Sequence, residues 1–244
     1  MADIHYLENP LDTEELMEKL SPPVRNWFKD KFDDFTRPQK LAIPAIMDKE
    51  HLLLCSPTGS GKTLTAFLTV IDNLVRLALE GKLEKKVHCI YISPIKALAN
   101  DIQRNLLGPL KEIYDNYLPD RAQEIKVGLR TGDTPQNERQ KMLRNPPHIL
   151  ITTPESLAIA ITSPRFQPIV NAVEFMIIDE LHSLVPSKRG VHLALTLSYL
   201  DTLLTIPVQR IGISATMEPL ETVAEYLVSS GNDEDGPGTK VNIA

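Results

Sequence analysis

His51-Leu52-Leu53-Leu54-Cys55-Ser56-Pro57-Thr58-Gly59-Ser60-Gly61-Lys62-Thr63-Leu64 joins an apolar run, a loop with two glycines and the start of a segment with helical spacing. Strand, glycine loop and helix in that order are the context of a phosphate-binding loop. Gly59 and Gly61 let the backbone curl so that N–H groups point inward. The helix that follows adds its positive end. Pro57, Thr58, Gly59, Ser60 and Gly61 would form the cradle, and Lys62, Thr63 and Leu64 would open the helix. Lys62 would reach the β- and γ-phosphates of a nucleotide such as ATP, and the Thr63 hydroxyl would hold Mg²⁺. One departure is visible: the outermost glycine of the usual pattern is Ser56. The alternative, a glycine-rich turn with an exposed lysine, does not account for the strand before it and the helix after it.

Working outward, short apolar runs at 51–55, 87–92, 125–129, 148–152, 175–179 and 209–214 alternate with helix-like segments at 64–80, 96–117 and 190–204. The runs are rich in Ile, Val and Leu with little polar alternation. That suits strands buried on both faces of a largely parallel sheet. The repeated β–α order predicts an α/β fold, an open, mostly parallel sheet with helices on both faces. Residues 35–230 are read as the domain with that fold. Residues 1–34 are read as a helical extension and 231–244 as a flexible loop or linker, although Lys240-Val241-Asn242-Ile243 resembles the start of another strand.

The bulk numbers are those of a globular domain. The 244 residues are 42% hydrophobic and 24% charged, ordinary proportions for a chain with a sizeable core. No apolar stretch approaches the ~18 residues of a membrane span. The acidic start does not read as a signal peptide, so a cytoplasmic location and no membrane partner are expected. Cys55 and Cys89 read as reduced core thiols, too few for a zinc site. A net charge of −6 argues against indiscriminate binding to nucleic acid and leaves room for a local basic track.

Phe175-Met176-Ile177-Ile178 runs straight into Asp179-Glu180-Leu181-His182. Two carboxylates at the end of a buried strand are costly unless a metal or a proton shares them. Beside a phosphate loop, Asp179 would hold Mg²⁺ and Glu180 would activate the attacking water. Both segments follow strands, so they would meet at one edge of the sheet.

These residues resemble the superfamily 2 helicases, which implies a RecA-like P-loop NTPase domain over residues 35–230. The phosphate loop is similar to their motif I, Asp179–His182 to motif II, and Ser214-Ala215-Thr216 to motif III, which couples the ATP site to strand separation. Phe32 and Phe35-Thr36-Arg37-Pro38-Gln39 resemble the Q motif, in which Phe32 would stack on adenine and Gln39 would bond its edge, with Arg37 beside them. Ser93-Pro94-Ile95-Lys96, Arg130-Thr131-Gly132-Asp133-Thr134 and Thr152-Thr153-Pro154-Glu155-Ser156 resemble the nucleic-acid motifs. The wording around them, with Lys188-Arg189-Gly190, is similar to the large helicase-related family of bacteria and archaea.

The resemblance implies catalysis by Glu180 and Lys62, coupling through His182, Ser214 and Thr216, and nucleic-acid contacts at Pro94, Lys96, Arg130, Gly132, Thr153, Pro154 and Arg189. Arg104 is a further candidate charge contact. His182 could equally be a packed polar group. Trp27 reads as packing, and Arg139, Lys141 and Arg144 as a solvated helix face. The implied partner is single-stranded or forked DNA, with an RNA–DNA hybrid open as an alternative, and the implied role is 3′-to-5′ movement linked to DNA repair. Motifs IV, V and VI are absent from these residues, so a second RecA-like domain of the same polypeptide is expected to supply the arginine contact, worth about 10³–10⁵ in turnover. The chain by itself is expected to bind nucleotide and hydrolyse it poorly. Two other classes compete: a kinase or GTPase, for which no Asn-Lys-x-Asp guanine motif is present, and a non-catalytic binding module, against which Glu180 speaks.

Overall fold

The structure, a computed structural model, describes residues 2–57, 59–94, 102–120, 122–228 and 239–244. Among the described residues, eight strands form one sheet: β1 (Asp3–Tyr6), β2 (His51–Cys55), β3 (Cys89–Ile92), β4 (Val127–Arg130), β5 (Ile149–Thr152), β6 (Phe175–Ile178), β7 (Gln209–Ser214) and β8 (Lys240–Ile243). Their order is β1-β8-β2-β7-β6-β3-β5-β4. Every pairing is parallel. The C-terminal ends of all the strands therefore share one edge, where open α/β sheets hold ligands.

The helices are α1 (Thr13–Lys19), α2 (Pro22–Lys31), α3 (Arg37–Met47), α4 (Lys62–Leu79), α5 (Gly108–Tyr117), α6 (Gln136–Arg144), α7 (Pro154–Ile161), α8 (Gln167–Val170), α9 (Leu181–Leu184), α10 (Lys188–Leu203) and α11 (Leu220–Val228). A π-helical turn, Gln103–Leu107, leads into α5. Period-2 side-chain alternation splits the apolar strands between two cores. Leu52, Leu54, Tyr91 and Ile177 pack with Phe28, Ile43 and Phe67 from α2, α3 and α4. Leu53, Ile90, Met176 and Ile178 pack with Leu157, Leu193 and Leu227 from α7, α10 and α11. An all-apolar strand with helices on both sides needs no polar face.

Most expected elements appear with ends shifted by a residue or two, and 51–55 and 209–214 match without shift. The expected helix over 96–117 is described from residue 102 onward, as the π turn and α5; residues 96–101 lie outside the described residues. Residues 1–34 and 231–244, expected as a helical extension and a flexible linker, also hold strands of the sheet. The first segment carries α1 and α2 but also β1, which pairs with β8. The last carries β8, which pairs with β2 and buries Val241 and Ile243. β1 is an edge strand with every residue at least partly exposed, so it carries no periodic apolar signal. Cys89 is a buried free thiol and Cys55 a partly buried one, in keeping with reduced cysteines.

Gly190 lies against the backbone of Leu184, where an added Cβ would meet the Leu184 carbonyl oxygen at 2.1 Å. Gly190→Ala is expected to cost about 1–3 kcal/mol through overpacking, read as a lower urea midpoint at unchanged m-value. His51 and His148 sit at the opposite edge, each accepting a backbone N–H through Nδ1, from Arg210 at 3.0 Å and from Lys126 at 2.9 Å. Burial, with the Arg210 charge at His51 and the His88 and Lys126 charges at His148, holds both imidazoles down at about 4. The folded pKa lies below the unfolded one, so the unfolded chain takes up the proton first as pH falls. The contribution of these two histidines to stability is expected to fall between about pH 6.5 and 4. The slope over that window should be shallower in His148→Gln than in the parent when urea midpoints are compared across pH.

Candidate nucleotide and nucleic-acid site

The C-terminal edge divides between two sets of strands. β2, β7 and β6 lead into the phosphate loop, Ser214–Thr216 and Asp179–Glu180; β3, β5 and β4 lead into the Pro94, Thr153 and Arg130 turns. A cleft of 810 Å³ opens on the first half. It brings together Phe32, Gln39, Gly59, Ser60, Gly61, Lys62, Thr63, Leu64, Asp179, Glu180 and Ser214 of the expected residues. Thr58 lies outside the described residues, and Pro57, Arg37, His182 and Thr216 do not line the cleft.

The loop is tightly specified. Gly59 and Gly61 have φ of 84° and 85°, a left-handed backbone that favours glycine. Gly61 also approaches Gln39, whose Nε2 would lie 3.0 Å from an added Cβ. Gln39 is buried and its Oε1 accepts the Thr36 N–H at 2.8 Å, which leaves the amide nitrogen toward the loop. Ser56, the departure from the usual glycine, is buried, and its hydroxyl meets that of Ser60 at 2.6 Å, so it closes the loop with a side chain. Lys62 folds over its own loop and donates to the Ser56 and Pro57 carbonyls, the latter at 2.7 Å. Burial lowers its pKa, and the nearby Cys55, Asp179 and Glu180 oppose that shift. An ammonium between a phosphate cradle and two carboxylates suits a polyphosphate ligand.

Asp179 is buried and accepts from the Tyr91 hydroxyl and, at 2.8 Å, from the Glu180 N–H. Glu180 has φ 57° and ψ 38°, a left-handed conformation that costs a non-glycine residue about 1–2 kcal/mol. Such strain gathers at functional sites. His182 Nε2 lies 2.9 Å from Glu180 Oε2, and His182 Nδ1 accepts the Ala215 N–H at 3.1 Å. A backbone N–H can only donate, so the imidazole proton sits on Nε2 and points at Glu180. His182 therefore bridges the Glu180 side chain and the Ala215 backbone. Ser214 is buried and bonds locally to Ala215 and Met217, whereas Thr216 is exposed.

The far wall of the cleft was not legible in the motifs. Gln103, Arg104 and Asn105 of the π turn line it, so Arg104 faces the nucleotide half of the edge rather than the nucleic-acid half. Glu112 of α5 accepts from Trp27 Nε1 at 2.7 Å and Lys31 Nζ at 2.9 Å. Those bonds, the Trp27 one foremost, hold its carboxyl below the usual range. Trp27 is thus packed, as expected, but also polar-bonded beside Phe32, whose ring centroid is 5.9 Å away.

On the other half, Thr153 caps α7, accepting from Ser156 N–H at 3.4 Å, with Pro154 in the first turn. Pro94 is buried, and Gly132 is exposed at the tip of its turn. Lys96 lies outside the described residues. Two expected phosphate contacts are otherwise engaged. Arg130 is largely buried with its guanidinium 4.8 Å from the centroid of Phe166, and burial lowers its pKa. Arg189 pairs with Glu155. Arg139, expected as a solvated charge, instead ties the 131–134 turn, donating to the carbonyls of Thr131, Gly132 and Thr134 at 3.2, 2.9 and 2.8 Å.

The pattern that describes the DEAD/DEAH box helicases matches residues 36–225. The chain belongs to that family. It is 49% identical over 235 residues to the ATP-dependent helicase Lhr-Core of Methanocaldococcus jannaschii, covering 96% of this chain and 28% of the relative. It is 47% identical over 241 residues to the Lhr helicase/uracil glycosylase of Escherichia coli, covering 96% of this chain and 15% of the relative. The chain therefore spans about a quarter or less of the length of these curated relatives. The structure of Mycobacterium smegmatis helicase Lhr bound to ssDNA and AMP-PNP superposes with a TM-score of 0.79 at 42% identity, over 94% of this chain and 28% of that one. MrfA, a helicase solved with DNA and AMPPNP, shares the fold at a TM-score of 0.73 and 23% identity, over 100% of this chain and 31% of that one. The sequence resemblance to superfamily 2 and to the large helicase-related group is borne out, and the RecA-like fold with it.

Gly61→Ala combines a left-handed φ with the 3.0 Å approach to Gln39. It is expected to weaken binding of a fluorescent ATP analogue at least tenfold while shifting the melting temperature only slightly, because Gly61 is only partly buried and away from both cores.

Proposed function

We propose that this chain is the first RecA-like motor domain of an ATP-dependent helicase or translocase acting on single-stranded or forked DNA. The observation that carries the reading is the line Glu180–His182–Ala215. It joins the residue placed to activate water to the strand-end turn after β7, at 2.9 and 3.1 Å. A change at the γ-phosphate side would be felt at both through one neutral imidazole. The Lhr relative was solved with both ligands that the two halves of the edge would hold.

In this reading Lys62 and the Gly59–Gly61 backbone hold the phosphates, Thr63 and Asp179 hold Mg²⁺, and Glu180 orients the attacking water. The donor set fits that ion: the Thr63 hydroxyl and the Asp179 carboxylate line the same cleft. Mg²⁺ in phosphate loops needs only a hydroxyl, a carboxylate, waters and the ligand's own oxygens. When bound, it neutralises charge on the phosphates. Phe32, Gln39 and Arg104 flank the nucleoside, and Pro94, Gly132, Thr153 and Pro154 present strand-end turns to the DNA backbone, with little base selectivity. A second RecA-like domain of the same polypeptide supplies the missing arginines. The 3′-to-5′ direction and a place in DNA repair rest on the resemblance, and a cytoplasmic setting on the acidic start that does not read as a signal peptide; no described helix is long and apolar enough to cross a membrane. An RNA–DNA hybrid is the second substrate to compare.

The test is ATP hydrolysis with and without single-stranded DNA, for this chain and for one extended through a second RecA-like domain. DNA-stimulated turnover in the extended protein alone supports the reading; full turnover by this chain, indifferent to DNA, ends it. In the extended protein, Lys62→Ala is expected to abolish nucleotide binding, while Glu180→Gln keeps binding and loses hydrolysis. Equal loss of binding in both would remove the role given to Glu180.

A further inference from the structure

Arg189 was expected to touch nucleic acid, yet its guanidinium is already held on two sides. Nε and Nη2 donate to Glu155 Oε1 and Oε2 at 2.6 and 3.1 Å, and Nη2 also donates to the Pro94 carbonyl at 3.0 Å. We propose that Arg189 and Glu155 form a strut that sets the spacing of the Pro94 and Thr153 turns, so that Arg189 is a positioning residue and not a phosphate contact. The proposal rests on the reading of this half of the edge as the nucleic-acid face.

Each end of the strut is anchored. Glu155 stands in the first turn of α7, behind the Thr153 cap and Pro154. Pro94 follows β3, which is in register with β5 so that Ile92 faces Thr152, and Ser93 N–H bonds the Thr152 carbonyl at 3.1 Å. Arg189 thus spans the two turns that neighbouring strands deliver. Its own direction is fixed from behind. Ser187 caps α10, accepting the Gly190 N–H at 3.2 Å, and Gly190 sits directly on the Leu184 backbone. α9 connects that backbone to Glu180. The strut therefore ties the motif II segment to both strand-end turns. The forked guanidinium matches a carboxylate bidentately, which gives orientation as well as attraction. The mutual hydrogen bonds lower the Glu155 pKa and raise that of Arg189, so both stay charged. Both side chains are nearly half exposed, 45% and 49%, so the pair adds little to global stability and its effect is geometric.

The experiment is anisotropy of a fluorescein-labelled oligothymidylate across a NaCl series, with the parent chain, Glu155→Ala, Arg189→Ala, the double variant and Arg189→Lys. Thermal melts check that each is folded, and Glu155→Gln serves if an alanine variant is not. The strut predicts that Glu155→Ala and Arg189→Ala each weaken binding by about tenfold, the scale of one charge-assisted contact. The double variant should be no weaker than the worse single one. The slope of log K against log salt should stay at the parent value, and Arg189→Lys, lacking the fork, should recover only part of the loss. Tighter binding by Glu155→Ala, with Arg189→Ala lowering the slope by about 0.7, would instead make Arg189 a phosphate contact and Glu155 its competitor. Additive losses would overturn the strut as well. No binding by the parent chain at any salt, with nucleotide binding intact, would remove the nucleic-acid reading of this edge and the strut with it.

Discussion

Parallel pairing of every strand is the constraint from which the rest of this structure follows. It places all the strand-end turns on one edge, and it demands helices on both faces, because β2, β3, β5 and β6 are apolar on both sides. The crossovers place the phosphate-loop strand and the motif II strand on either side of β7, and the three strands with the remaining motifs beyond them. Apart from Arg104, the residues expected at the nucleotide and those expected at nucleic acid thereby fall on adjacent parts of the edge.

Above the shared apolar cores, the strand-end turns are linked to one another by polar contacts. His182 bridges Glu180 and the backbone after β7, and Arg189 reaches from the motif II segment to the turns after β3 and β5. Hydrogen bonds of this kind have discrete geometries and fail when a partner moves, which is the behaviour a coupling element needs. The left-handed Glu180 stands at the root of both, since α9 and α10 follow from it.

Much of the fold was legible because its signals are local. The strands at 51–55 and 209–214 are continuous apolar runs, and the phosphate loop is contiguous, so the order of residues carries both element and chemistry. β1 was missed because an exposed edge strand buries too little to leave a pattern. Ser56 looked like a defect in the loop and is a buried hydroxyl that closes it. Arg130, Arg139 and Arg189 all read as free charges, since a lone arginine in a sequence does not reveal whether an aromatic ring, a set of carbonyls or a carboxylate awaits it.

The sequence by itself determined the strand–loop–helix unit, the acidic pair, the α/β class and the family, because each depends on neighbours in the chain. Tertiary structure alone decided which charges are free to act. Trp27 and Glu112 are 85 residues apart, Arg189 and Pro94 95, and Gln39 meets Gly61 across the cleft floor. Such contacts arise from strand order and helix packing, and no local propensity encodes them, because the free energy that forms them belongs to the assembled sheet.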